Sequence, residues 1–413
     1  MKKSDVIVIG AGQSGLAMSL ELSHAGIEHL VLERGRVANS WRTERWASLR
    51  LLTPNWMNGV AGLPYTGSDP DGFMSVGAFV ESCDVSARRN GAPIQIETSV
   101  LAVRPWGSGY IVETDQGQIA CLAVVMANGA CAIPRIPKFA QSLPEDIRHL
   151  TPLSYKSPDD VPDGKVLVVG ASASGQQIAQ ELQNAGRSVT LSVGSHLRLP
   201  RDYRGADILF WMNLMGTFSV PHTDVDDLDR VRRLPSLPLV GTPSRATLDL
   251  NVLQDIGVEI VGRLGSVDDG RAYFSGSLHN HCAMADQKLA RLLRSIDDLL
   301  DDSGHGHFAP MPEAWRPTRV PDAPRLTLDL ARNGIKTVIW ATGFAPDFSW
   351  LDMSVFDRKG RLDHDGGVVA PGLYAMGLPY MRTRKSTYIQ GATDDARALS
   401  QHLIASFDAR LAA

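Results

Sequence analysis

The chain has 413 residues, 44% apolar and 21% charged, a composition that suits two globular domains and marks no segment as disordered. Its formal net charge of −4 and pI near 6.3 supply no basic field for nucleic acid or anionic lipid, which leaves small molecules as the expected partners. No run reaches the roughly eighteen apolar residues of a membrane span, no apolar leader precedes the first strand pattern at Asp5, and Cys83, Cys121, Cys131 and Cys282 form neither a C-x-x-C pair nor a zinc spacing. A cytoplasmic protein with no membrane insertion, no disulfide framework and no metal is therefore expected, His279, His281 and Cys282 of "HNHC" reading as polar surface.

In chain order, an apolar strand over residues 6–9 runs into a glycine turn, then a helix with Leu16, Leu20 and Leu22 on its apolar positions, a stop at Gly26, and the strand "HLVLE". That is a βαβ unit. Residues to about 80 are irregular and rich in Trp, Pro and Gly, and residues 94–129 read as short strands with turns at Gly107-Ser108-Gly109 and Gln116-Gly117. A proline-rich polar linker follows, and the βαβ pattern restarts at Val166. After it come an unusual middle segment, a helix from about 283 to 300, the strand "TVIWATGF", the strand "GLYAMG" and a closing helix over "DDARALSQHLIASFDARLA". The expected domains are residues 1–155, residues 160–325 with a helical insertion, and a completion of the first domain by residues 326–413.

The two glycine turns differ in a way that selects their ligands. Gly10, Gly12 and Gly15, with Gln13 and Ser14 between them, fit G-x-G-x-x-G: a sharp strand exit, close backbone approach to a pyrophosphate, and tight helix–strand packing. The helix start offers free N–H groups to the phosphates, and Glu33 ends the second strand where a carboxylate accepts hydrogen bonds from a ribose 2′-OH. In the second turn, Gly170, Ser172, Ser174 and Gly175 repeat the spacing with serine at the middle position. The acid is missing there; Ser192, Ser195, His196, Arg198 and Arg201 stand in its place, and arginine can grip a 2′-phosphate in bidentate fashion. The first site suits FAD and the second NADPH. Two dinucleotides in one chain imply hydride transfer from nicotinamide to flavin.

With "GAGQSG", "SWRTERWASLRLLTPNWM", "DPDGFMS", "GASASG" and "ATGFAPDFSWL", the chain resembles the FAD- and NADPH-dependent flavin-containing monooxygenases over nearly its whole length. It looks like a bacterial branch carrying "RLPRDYRGADILFW". The resemblance implies an α/β fold of two Rossmann-like dinucleotide-binding domains, the NADPH domain inserted into a discontinuous FAD domain. It also implies that Trp41 and Arg42 line the flavin, that Ala127, Asn128 and Gly129 cross back beside it, that Ala341, Thr342 and Gly343 link the domains, and that Thr393 and Asp394 precede a helix aimed at the flavin. Three departures accompany it: Leu143 and Glu145 replace the Phe and Gly of the family's histidine motif around His149, Leu52 holds the place where relatives put an asparagine, with Asn55 offset, and no redox dithiol is present.

The activity implied is reduction of FAD by NADPH, addition of dioxygen at the flavin C4a position to give a peroxide, and oxygenation of a small organic substrate at nitrogen, sulfur or a ketone. Arg384 and Asn55 are the catalytic candidates, and the apolar stretch 208–215 is either a substrate wall or core. An NADPH oxidase or flavin reductase without organic oxygenation, and a non-catalytic FAD/NADPH redox sensor, are the alternatives. A homodimer is one assembly this reading allows.

Overall fold

The structure, a computed structural model, describes residues 1–411. The first domain opens with β1 (Lys2–Ile9), α1 (Gln13–His24) and β2 (His29–Leu32), followed by α2 (Asn39–Thr43), α3 (Val76–Arg89), β3 (Ile94–Gln95), β4 (Val100–Trp106), β5 (Gly109–Thr114) and β6 (Gly117–Met126). Val6, Ile7, Val8 and Ile9 are all buried, as a central parallel strand covered on both faces requires. Leu16, Ala17, Met18 and Leu22 of α1 lie in the same core. Two antiparallel strands, β4 and β5, extend this sheet from the edge of β6.

The second domain contains β7 (Ile133–Pro134), β8 (Arg148–Leu150), β9 (Lys165–Val169), α4 (Ala173–Asn184), β10 (Val189–Ser192), β11 (Asp202–Tyr203), β12 (Ala206–Asp207), α5 (Ile208–Leu214), α6 (Leu228–Val231), α7 (Leu250–Asp255), β13 (Glu259–Val261), β14 (Leu264–Asp268), β15 (Arg271–Phe274), α8 (Leu278–Asp302), β16 (Thr327–Asp329), β17 (Ile335–Trp340) and β18 (Phe344–Ala345). Its parallel sheet runs β13-β10-β9-β17-β8. The chain then returns to the first sheet through β19 (Val368–Ala370) and β20 (Leu373–Ala375), giving the order β19-β20-β6-β1-β2-β3, and closes with α9 (Ile389–Leu411).

Sheet membership moves both expected domain boundaries. Arg148–Leu150, assigned from sequence to the first domain, pairs with β17, and Ile335–Trp340, assigned to the completion of the first domain, is a central strand of the second. The sequence placed the boundary in a polar linker, but strand β8 is too short and too polar to announce itself by periodicity. The outgoing and returning chains cross side by side as the antiparallel pair β7–β18, where Arg135 N–H donates to Gly343 O at 2.9 Å.

Both glycine turns have the same internal contact. A Cβ on Gly15 would lie 1.8 Å from Gly10 O, and one on Gly175 would lie 1.8 Å from Gly170 O. The strand-end glycines have φ of +104° and +110° and sit against Ala127 O and Ala341 O, so any side chain there would collide with the next crossing of the chain. Gly175→Ala is expected to push α4 off its strand; a markedly lower thermal midpoint checks this, and an unchanged midpoint contradicts it.

Candidate functional site

Between the C-terminal ends of the two parallel sheets lies one cavity of about 2200 Å³. Ligands of open α/β sheets bind at such strand ends. Gly10, Gly12, Gln13, Ser14, Glu33 and Trp41 line it from the first turn, and Gly170, Ser172, Ser174 and Ser192 from the second. The crossings Ala127–Gly129 and Ala341–Gly343 complete the wall between them.

In the first cradle, no side chain caps α1, and a Cβ on Gly12 would meet only open space. The free N–H groups of the first turn are therefore available to an anion. The Glu33 carboxylate accepts hydrogen bonds from Ala11 N–H at 2.9 Å and Gly35 N–H at 3.1 Å, which fixes its orientation at the cavity edge. Trp41 donates from Nε1 to Gln13 Oε1 at 3.3 Å, packs edge-on against Phe79, and carries the Arg45 guanidinium 5.0 Å from its ring centre. Asn128 Nδ2 donates to Asp347 O at 2.7 Å, tying one crossing to the other.

The second cradle repeats the pattern. Ser172 takes the helix-start position in extended conformation, and its side chain does not cap α4. Thr342 hydroxyl donates to Arg135 O, fixing the second crossing. Ser192 reaches the wall, but its hydroxyl is occupied: it donates to Gly262 O at 3.1 Å and accepts from Leu264 N–H at 2.9 Å. The uncapped helix starts, with the open face of Gly12 at the first, fit a dinucleotide at each turn.

Several sequence expectations are corrected here. Arg198 and Arg201 do not line the cavity. Arg198 is buried, pairs with Asp249 at 2.7 Å and Asp286 at 2.8 Å, and donates to Arg316 O. Arg201 pairs with Asp207 at 2.5 Å and donates to Leu52 O at 2.8 Å, with its guanidinium 4.9 Å from the ring centre of Phe73. These cations bind the chain's own carboxylates, a choice that sequence proximity to a strand end does not reveal. Arg263, in the loop after β13, lines the cavity instead, its stem beside Gly194, where a Cβ would stand 3.5 Å from Arg263 Cδ. The clue available in sequence was a cation just past a neighbouring parallel strand.

Arg42 also turns away from the cavity: it donates to Val37 O and pairs with Asp84 of α3 at 2.5 Å. Thr393 and Asp394 lie within α9, which begins at Ile389, and Asp394 pairs with Lys385 at 2.6 Å; neither lines the cavity. The polar residues after Gly391 suggested a helix start, but the helix begins before that glycine, whose Cβ would fall 1.9 Å from Lys385 O. Asn55 is buried and donates to Asp69 O at 2.8 Å, anchoring a loop outside the cavity. Arg384 is half-buried beside Tyr380 and Tyr388, also off the wall. The inward face of the 208–215 stretch is core, with Ile208, Leu209, Trp211 and Met212 packed with Leu289, Leu293 and Ile296 of α8, while Phe210 and Leu214 are exposed and no residue of the stretch lines the cavity.

A family model described as pyridine nucleotide-disulphide oxidoreductase matches residues 7–205. An uncharacterized CzcO-like oxidoreductase of Geobacillus kaustophilus strain HTA426 is 29% identical over 404 residues, covering 97% of this chain and 98% of the relative. The chain is thus similar to that oxidoreductase over nearly its full length, and to the pyridine nucleotide-disulphide oxidoreductase model over its first half. A solved flavin-containing monooxygenase from Stenotrophomonas maltophilia shares the fold of this chain, with a TM-score of 0.68 at 18% identity over 98% of this chain and 99% of that one. The structure of OTEMO in complex with FAD and NADP gives a TM-score of 0.58 at 16% identity over 98% of this chain and 86% of that one.

The buried arginine gives the site its sharpest test. Arg201→Met breaks a buried ion pair and is expected to cost about 3 kcal/mol of stability, read as a lower denaturation midpoint, with the affinity for NADP+ unchanged. A loss of NADP+ affinity at unchanged stability would return Arg201 to the nucleotide site.

Proposed function

We propose that the protein is an NADPH-dependent flavoprotein monooxygenase that takes hydride from NADPH onto FAD and uses dioxygen to oxygenate a small organic molecule at nitrogen, sulfur or a ketone. The observation that carries this reading is the single cavity onto which both nucleotide turns open, so that a nicotinamide and a flavin can meet within one space. Among the described residues, Cys131 is the single cysteine on its wall, which gives no dithiol for a disulfide-reductase relay. When bound, FAD supplies hydride acceptance and the activation of dioxygen.

The chain's own residues bind, orient and enclose. Glu33, held by two backbone N–H groups, receives the ribose hydroxyls of FAD, and the uncapped start of α1 receives its pyrophosphate. The uncapped start of α4 does the same for NADPH, and Arg263, beside Gly194 and Ser195, holds the 2′-phosphate. Asn128 and Thr342, each tied to a backbone carbonyl of another segment, hold the crossings in place between the two cofactors. Walls kept in place this way exclude water from the reacting centre, which favours oxygen transfer over wasteful release of hydrogen peroxide.

Two outcomes are expected. Arg263→Ser weakens NADP+ binding by roughly 10- to 100-fold while binding of NAD+ is unchanged, measured by equilibrium titration of the FAD-loaded protein; equal loss for both nucleotides contradicts a 2′-phosphate role. In aerobic turnover across amines, sulfides and ketones, NADPH consumption matches oxygenated product for at least one class. Hydrogen peroxide equal to NADPH consumed in every case would make the protein an oxidase, and a complete lack of NADPH turnover would make it a redox sensor.

A further inference from the structure

The segment between α5 and α7 leaves the second domain and crosses onto the first. Pro221 bridges Thr383, and His222 N–H donates to Arg382 O at 2.8 Å. Further along this segment, α6 and the turn after it form one side of the cavity mouth, facing the hairpin of residues 356–364. The charges across this mouth are unequally matched. Asp229 takes Arg361 at 2.7 Å and Lys359 at 3.1 Å, and Asp357 takes Arg361 at 2.7 Å. Arg232, on the same wall, makes no ion pair among the described residues, although the charges of Asp229 and Asp363 act on it. Its Nη2 lies 3.3 Å from His364 Nε2, and its Nε is buried without a hydrogen-bond partner. Burial and the neighbouring Arg232 push His364 down to about 4, so the imidazole is neutral near pH 7 and leaves the guanidinium charge in place.

The unpaired, half-desolvated guanidinium charge on the cavity wall would be offset by an anion that reaches its Nη end from the cavity, while the buried Nε lies beyond a ligand's reach. Its planar fork matches a carboxylate in bidentate geometry. Leu234, Pro235, Phe356 and Leu362 lie on the same wall between its charged residues, Asp229, Arg233, Lys359 and Arg361 among them, and offer an organic body apolar contact beside the cation. We propose that Arg232 is a specificity-determining residue that receives the carboxylate of the organic substrate, making the preferred substrates small amphipathic acids. The inference deepens the monooxygenase reading and rests on it for the ligand being a substrate. The phosphates of NADPH are the other source of an anion in this cavity, and the test separates the two.

The probes are para-(methylthio)benzoate and (methylthio)acetate, each compared with its uncharged methyl ester. Binding to FAD-loaded protein with NADP+ present is measured by calorimetry for the wild type, Arg232→Gln and Arg232→Lys. The wild type is expected to bind at least one acid roughly 10- to 100-fold more tightly than its ester. Arg232→Gln should abolish that difference and Arg232→Lys should keep part of it, while ester binding and NADP+ affinity stay unchanged. The absence of an acid preference in the wild type overturns the proposal, and so does a fall in NADP+ affinity in Arg232→Gln. If Arg232→Gln fails to retain FAD, the wild-type ratio and the lysine variant still decide. Arg232-dependent binding of an acid that is never oxygenated would leave the anion site standing and overturn the monooxygenase reading.

Discussion

Two contacts between backbone and glycine set the position of everything else. Ala127 O presses on Gly10 and Ala341 O on Gly170, at distances that no side chain on either glycine could accept. Each contact fixes the place where the chain leaves one sheet for the other, just past the end of a central parallel strand. The crossings then lie beside both turns and run antiparallel to each other through β7 and β18. One cavity reached by two nucleotide turns follows from this arrangement, because each crossing forms wall for the cofactor cradle it packs against.

The fold was largely legible in the sequence because its signals are local. Val6 to Ile9 and Val166 to Val169 are continuous apolar runs of the kind a doubly covered parallel strand demands, and the glycine spacing after each names the turn. Glu33 could be placed at the cavity for the same reason: it ends the strand next to the first turn. The elements that misled were those defined by partners distant in the chain. Arg198 and Arg201 follow a nucleotide-type strand, yet Asp249, Asp286 and Asp207 capture them, and only the folded chain brings Asp249 and Asp286 to Arg198. Arg263, by contrast, lies about seventy residues beyond Gly194, the residue its stem packs beside, a separation bridged by the neighbouring strand β13. Thr393 and Asp394 rest on the family resemblance, which sets a helix start after Gly391, whereas the helix already begins at Ile389.

The segment "RLPRDYRGAD" has a structural meaning that the fingerprint comparison alone does not supply. Arg201, Arg245 and Asp207 form a buried cluster over Phe73, with Arg201 reaching Leu52 O and Arg245 reaching Asp71 O. Tyr203 hydroxyl and Arg204 both bind Asp297 of α8, at 2.8 Å each. The motif thus rivets the inserted domain to the irregular loop of the first domain. Removing either side of such a buried pair leaves an uncompensated charge. The same segment, continued through the strap to Arg232, carries the second domain to the mouth of the cavity.

The central claim is that the two turns serve one space, so that electrons pass from nicotinamide to flavin within this chain. Rapid mixing of the FAD-loaded protein with NADPH in the absence of dioxygen tests it most directly. The account predicts loss of the oxidised-flavin absorbance at a rate that saturates with NADPH and exceeds the rate with NADH. A flavin that stays oxidised at saturating NADPH would contradict it.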